Sequence, residues 1–421
     1  MESIFTKLCY HKESSFGVSP SSDYQALRFT GESFARKLKK EISNEIRSDR
    51  QIADFITLDS DIDGGFNFEL TYESFTELLE GALWDEWSDE ISISAKGISI
   101  NVDGTLTAGT GATNGSANFY LIEEGHWIKL DGSSDSDNND YYQVTNKNSN
   151  TEITVSPTPN STLASGSDTI TINATHLRNG VEPYSYTFIR AHEKAGISNQ
   201  YFNFNGCMCT SFSLSLSAGS ILTGAFGFLG KTGTLAQTST ESSTATVVTS
   251  TKIVNTANNI AELQENGVVQ LGCIINSIDI NLNNNLRVKK ALASGVGCAI
   301  GVGRCLVTGS ISAYFIDNSL YDKYISGAET SLSFRVADAD NNVYILDIPR
   351  LKFNDNKINI GGQDQSVMQN IEFTALVDNT YGYTIQLSKF NGSGPGPVSS
   401  VKITTEDGDY LITESGDHLI I

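Results

Sequence analysis

Basic residues are scarce in this sequence. Lys and Arg number 28 against 49 Asp and Glu, a formal net charge of -21, and no basic patch comes close to the footprint of a nucleic-acid binder. Nucleic-acid binders that work by neutralising phosphates need clustered cations, so that function class is excluded. Long apolar runs are missing as well. No stretch of about 18 apolar residues can span a bilayer as a helix, so no membrane association is expected. Met1–Phe5 lacks the basic segment and apolar run of a secretory leader, which predicts assembly in a cytoplasm. Proline is limited to seven residues and charged residues to 18%.

Patterns that carry chemistry are equally thin. The six cysteines are Cys9, Cys207, Cys209, Cys273, Cys298 and Cys305, and no two Cys or His pairs stand at zinc spacing. Cys207 and Cys209 would share one face of a strand, as small buried residues do, so structural free thiols are expected. The five histidines, His11, His126, His176, His192 and His418, neither pair at a metal spacing nor flank a nucleophile motif. Adjacent carboxylates such as Asp85-Glu86 and Glu123-Glu124 do not supply the opposed geometry that glycoside hydrolysis needs. Asp338-Ala339-Asp340-Asn341-Asn342 has a calcium-loop rhythm but lacks the following Gly and the distal Glu, and suits a hairpin turn better. The loop holding Asp131, Asp135, Asp137 and Asp140 reads the same way. No Gly-rich phosphate loop precedes a helix. The expectation is no enzyme, no cofactor and no metal.

What the sequence does contain is alternation, turn residues and a repeat. It is 39% apolar with 37 glycines, enough for real cores in short strands joined by turns. Two amphipathic helices stand out: Phe75, Leu78, Leu79 and Ala82 in one, and Tyr321, Tyr324, Ile325 and Ala328 in the other. These pairs, together with Gly81 and Gly327, are 246 positions apart, and Ser74-Phe75-Thr76-Glu77 offers the first helix a capping box. Upstream, LRFTGESF (27–34) and CIINSIDINL (273–282) align at the same offset. GFNFEL (65–70) corresponds to GSISAYF (309–315) with a two-residue difference. Downstream, SYTFIRA (185–191) matches SLSFRVA (331–337) at an offset of 146. The change implies about 100 extra residues in the first copy, between its helix and its next strand. The module reads as strand, long excursion, strand, helix and a closing group of strands. Chance alignment of two alternating segments is the competing explanation.

These offsets divide the chain. Residues 1–83 and 185–231 form a first module, split by an inserted all-β domain at 84–184. Residues 232–269 make a Ser/Thr-rich connector, 270–390 a second module, and 391–421 a Gly/Pro linker with a short β tail. The insert holds 14 acidic and 4 basic residues and the tail 5 and 1, so two thirds of the net charge lies outside the modules. On outward decorations such charge favours solubility and discourages lateral bundling.

The run ALRFTGESFARKLKKEISNEIRSDRQIADFITLDSDIDGGFNFELTYESFTELLEGALWDEW (26–87) resembles the N-terminal signature of a phage tail tube protein family. SNEIRSDRQI (43–52) is its most specific element. FGVSP (16–20), GCMCTSFSLSLSAGSILTGAFGFLGK (206–231) and GRCLVTGSISAYFIDNSLYDKYISGAETSLSFRVADADNNVYILDIPRLKF (303–353) resemble it too, so similarity covers nearly all of 16–390. The resemblance implies a mainly β fold: two tandem β-sandwich or barrel modules, each with one flanking helix, whose sheets join between subunits into an inner barrel. It implies a virion protein stacked as rings into the tube of a long non-contractile siphophage tail, through which DNA is ejected without specific binding. The implied partners are further copies of the chain, a tape-measure protein, a tail terminator and tail-tip proteins. Six module positions per ring imply a trimer of two-module chains with pseudo-sixfold symmetry.

The family's ring-stacking excursion would fall at 36–60 and 283–303 here. The first is strongly charged, with Arg36, Lys37, Lys40, Glu45, Arg47 and Arg50 as the expected stacking residues. The second carries only Arg287, Lys289 and Lys290, so the two copies cannot be equivalent. Phe75, Leu78, Leu79, Tyr321, Tyr324 and Ile325 are expected to pack the module helices. The alternative reading is a β-rich adhesin or a host- or glycan-binding virion module. In that case an exposed aromatic near a loop tip, among Trp84, Trp87 and Trp127, would mark the site. A glycan-degrading tail enzyme is a third.

Overall fold

Alternating apolar and hydroxyl or amide residues make strands with one buried and one polar face, and the computed structural model is built almost wholly from them. It describes residues 2–109, 118–193, 199–236, 245–255, 260–265, 268–269, 275–292 and 297–392. Cys273, His418, the Asn114-Gly115 turn, the middle of the connector and the C-terminal tail lie outside these residues.

Strands β1 (Thr6–Lys12), β2 (Gln25–Ala26), β3 (Gly31–Glu32), β4 (Ala35–Ile42) and β5 (Phe55–Glu69) lead to helix α1 (Thr76–Leu83). The insert follows with β6 (Ile91–Ala95), β7 (Ile98–Ile100), β8 (Thr105–Ala108), β9 (Trp127–Asp131), β10 (Tyr141–Ser149), β11 (Glu152–Ser156) and β12 (Ile170–Ala174). Then come β13 (His176–Arg178), β14 (Ser185–His192), β15 (Gln200–Ser217), β16 (Thr223–Gly230), β17 (Thr232–Ala236), β18 (Ile260–Glu265) and β19 (Val268–Val269). The second module holds β20 (Ile275–Asn283), β21 (Arg287–Lys289), β22 (Ala299–Gly301), β23 (Leu306–Tyr314), α2 (Ser319–Ser326), β24 (Thr330–Ala337), β25 (Val343–Asn359), β26 (Met368–Ala375) and β27 (Gln386–Phe390).

Both modules share one plan. The long strands β15 and β25 each cross from an outer sheet into an inner one. The first half of β15 pairs with β14 and β17, and the first half of β25 with β24 and β27. Their second halves pair with β16 and β26. The inner sheet runs β4–β5–β16–β15–β20–β23–β26–β25 through both modules, all antiparallel. One apolar core, from Phe66, Phe68, Phe226 and Phe228 to Ile311, Ile371 and Phe373, backs it. The connector joins the modules with structure of its own, since β17 extends the first outer sheet and β18 the second.

The helices correct the repeat register. α1 and α2 have the same length and both end in a left-handed cap, Trp84 at φ 62° and Gly327 at φ 65°. Trp84 N–H donates to Glu80 O, and Gly327 N–H to Lys323 O. These caps align the helices at an offset of 243, not 246. A three-residue slip is nearly one helical turn, so it leaves the apolar face where it was, and periodicity alone could not detect it. The capping box is absent. Phe75 occupies the N-cap without a side-chain bond, Ser74 bonds Thr71 and Thr249 instead, and Thr76 Oγ1 donates to Glu73 O. LRFTGESF is strand only at Gly31–Glu32.

Candidate assembly surfaces

The inner sheet presents one polar face. Ser211, Ser213, Ser215 and Ser217 alternate with buried Phe212, Leu214 and Leu216 on β15, and Ser277, Asp279 and Asn281 alternate with Ile278 and Ile280 on β20. The two strands pair from Ser211↔Asn283 to Ser217↔Ser277, which makes the junction between modules a sheet junction. Asp279 accepts hydrogen bonds from Ser215 Oγ at 2.5 Å and Ser310 Oγ at 3.4 Å, tying three neighbouring strands together. Buried Asn284 closes the proximal end of the junction, donating to Ala82 O and Cys209 O at 3.0 Å each.

The sheet ends in two edges that are open among the described residues. At one end, β3 and β4 pair only with β5; at the other, the second half of β25 pairs only with β26. A strand edge left open presents unpaired backbone groups that recruit another strand.

The expected stacking residues Arg36, Lys37, Lys40, Glu45, Arg47 and Arg50 all lie on one antiparallel arm, β4 and β5 with the 43–54 tip, and every residue of β4 is exposed. Arg47 pairs with Asp49, Lys37 with Asp63, and Arg36 donates to Ser60 Oγ. Sequence reasoning weighed the arm's charge but missed its apolar residues: Leu38, Ile42, Ile46, Ile52, Phe55, Ile56 and Leu58 are each about half to fully exposed. Among the described residues the second excursion forms the short β21–β22 pair.

The module helices part company. Phe75, Leu78 and Leu79 are buried, with Phe75 among the rings of Phe66, Phe68 and Phe226, each burial being worth roughly 1.5–3 kcal/mol. α2 has no buried residue: Tyr321 and Tyr324 are half-buried and Ile325 is exposed. The difference lies in what surrounds them. α1 is enclosed by Asn284 of the second module and by the chain entering the insert, where Trp87 Nε1 donates to Thr76 O.

The insert has its own core, including Ile98, Ile100, Leu130, Val144 and Ile172, and one sheet in the order β6-β12-β9-β10-β11-β8-β7. It leaves the first module but seats on the second. Trp127 and Tyr141 pack with Ala337, Val343, Ile345 and Phe390, Arg335 pairs with Asp140, and β13 joins the sheet beside β27. Beneath this contact, Asp347 accepts from Tyr383 Oη at 2.8 Å and Gln143 Nε2 at 3.1 Å. Burial pushes its carboxyl up to about 7 against those bonds. His126 and His176, far apart in sequence, lie with their ring centroids 4.2 Å apart and tilted by 38°, and burial holds their pKa values down to about 2 and about 4. Trp84 and Trp127 are buried, and Trp87 is half-buried under Lys389.

Among the described residues no group of three or more His, Cys, Asp and Glu is placed to hold a metal, and no helix is long and apolar enough to cross a membrane. Asp338 Oδ1 accepts from the backbone of Asp340 and Asn342, which makes that loop a side-chain-bonded turn. Cys9, Cys207 and Cys209 are buried free thiols, while Cys298 and Cys305 are free and exposed.

Residues 6–375 match the family described as phage tail tube protein. The chain belongs to that family. It is thus a structural component of the phage tail tube and of the virion, and its fold is the mainly β one that the resemblance implies. No curated protein matches the chain. Within a tail tube protein, the sheet junction, the two open edges and the exposed arm are the features that bear on assembly.

Proposed function

We propose that three chains close a ring and that rings stack into the tube of a long non-contractile tail. The internal junction between β15 and β20 carries this reading. β15 and β25 hold the same place in their modules, as do β20 and the β3–β4 strand. The open edge of β25 in one chain therefore meets the open β3–β4 edge of the next in the geometry the chain already uses within itself. Repeating that head-to-tail contact gives a closed ring when the rotation permits. Closure removes both edges and covers the bare face of α2, as the second module covers α1.

The polar face of the inner sheet then lines the lumen. Its spaced hydroxyls and amides offer passing DNA no cluster of cations to bind. A tape-measure protein would fill this lumen before ejection, with terminator and tip proteins at the tube ends and assembly in the bacterial cytoplasm. Native mass spectrometry of isolated rings, with electron microscopy, tests the proposal. Three copies of the 45.5 kDa chain around a central hole are expected. Six copies per ring, or a persistent monomer, would refute it.

A further inference from the structure

The strand registers place the arm and a second apolar surface at opposite ends of the inner sheet. β5 runs from Phe55 in the arm to Glu69, which pairs with Thr223 at the distal end. Along the same end lie Ser217, Ser277, Tyr314 and Met368. The two modules finish this rim differently. In the first, Leu70, Tyr72 and Leu222 are buried beneath the connector: Leu222 N–H donates to Val254 O, Val254 N–H to Leu70 O, and Thr251 Oγ1 to Tyr72 O. In the second no such cover exists among the described residues, and Ile316 and Ile360 are 64% and 82% exposed beside Tyr314.

Among the described residues each chain thus carries one long apolar arm, on its first module, and an apolar rim on its second that no connector covers and that is more exposed than Ile221 and Ile253 on the first, at 43% and 37%. Resting on the tube reading above, we propose that the arm of one ring seats on the second-module rim of a chain in the next ring. The occupant is a second copy of this chain. Chain arithmetic supports it, because among the described residues one arm and one rim without a connector over it occur per chain, at opposite ends of the sheet. The contact joins unlike modules, so successive rings set an insert-bearing position against a bare one, and decorations stagger along the tube instead of forming columns.

Cross-linking tests this in a Cys298→Ser/Cys305→Ser background. Assembled tubes of Ile46→Cys/Ile360→Cys are treated with a short bis-maleimide, with Ile46→Cys/Ile221→Cys, which marks the first-module rim, as the comparison. A ladder of covalent multimers is expected from the first pair only. A ladder from the Ile221 pair, or from neither pair in tubes intact by microscopy, overturns the proposal. Ile316→Glu should cut tube yield by at least about tenfold and leave rings formed, because it puts a charge in an apolar contact. Unchanged yield would count against the rim. Helical reconstruction of unmodified tubes gives a second readout, with staggered inserts expected and aligned columns contradicting it. Absence of any tube from the unmodified chain would instead overturn the tube reading itself.

Discussion

Lys290, at the foot of the second module's short excursion, reaches Asp61 on the first module's arm at 2.9 Å and also pairs with Asp59. The smaller excursion thus braces the larger one within a single chain. Lys290 is 38% exposed, Asp61 29% and Asp59 11%, and ion pairs that solvent still reaches add little to global stability. Lys290→Ala should leave the melting temperature nearly unchanged and speed hydrogen exchange of the arm backbone over 55–63. Equal exchange in both proteins would show that the brace does nothing.

The arm's tip is the place where assembly can be broken without unfolding. Arg47 and Arg50 are exposed and far from any core. Reversing both to Glu should leave rings intact by mass and block stacking, seen as rings without tubes in negative stain. Normal tube growth would remove these two side chains from the ring-to-ring contact.

Gly81 and Gly327, aligned by sequence, do different work. A Cβ on Gly81 would lie 2.6 Å from the ring of buried Tyr186, whereas nothing stands within 4 Å of one on Gly327. Gly81→Ala must push α1 off β14, which should cost about 1–3 kcal/mol by overpacking. Gly327→Ala meets open space but keeps φ at 65°, and should cost about 1 kcal/mol. Denaturant midpoints of the two variants should fall in that order, and the reverse order would refute the assigned roles.

Much of this fold was legible in the sequence because it is local. Alternation along β15, β20 and β23, the helix face of Leu78 and Leu79, and the break in the repeat offset all follow from periods of two or about 3.6. What escaped depends on partners distant in the chain. The same helical spacing gives a buried α1 and a bare α2, because Asn284 and the insert reach only the first. Arg335 and Asp140 lie 195 positions apart, and nothing local says that the insert seats on the module it did not interrupt. The arm's apolar residues Leu38, Ile42, Ile52 and Phe55 are in plain view in the sequence, but their exposure depends on the arm standing away from the sheet, which no local pattern encodes.

The junction beneath the insert should give the protein a pH dependence whose sign can be worked out. His126 and His176 have folded pKa values of about 2 and about 4, both held low first by burial, with Arg178 adding positive charge nearby. As pH falls below the unfolded value of about 6.5, the unfolded chain binds two protons that the folded chain refuses, and stability falls. Asp347 acts oppositely. Its folded carboxyl binds a proton as pH drops through about 7, the unfolded one only near 3.9, and stability rises. Two protons against one leaves a net loss of about 1.4 kcal/mol per pH unit between about pH 6 and 5, before ordinary carboxylates titrate. Melting temperature should therefore fall over that window in the unaltered chain and fall more steeply in Asp347→Asn. In His126→Gln/His176→Gln it should rise. A double variant that still loses stability on acidification would show that the histidine pair does not govern this junction.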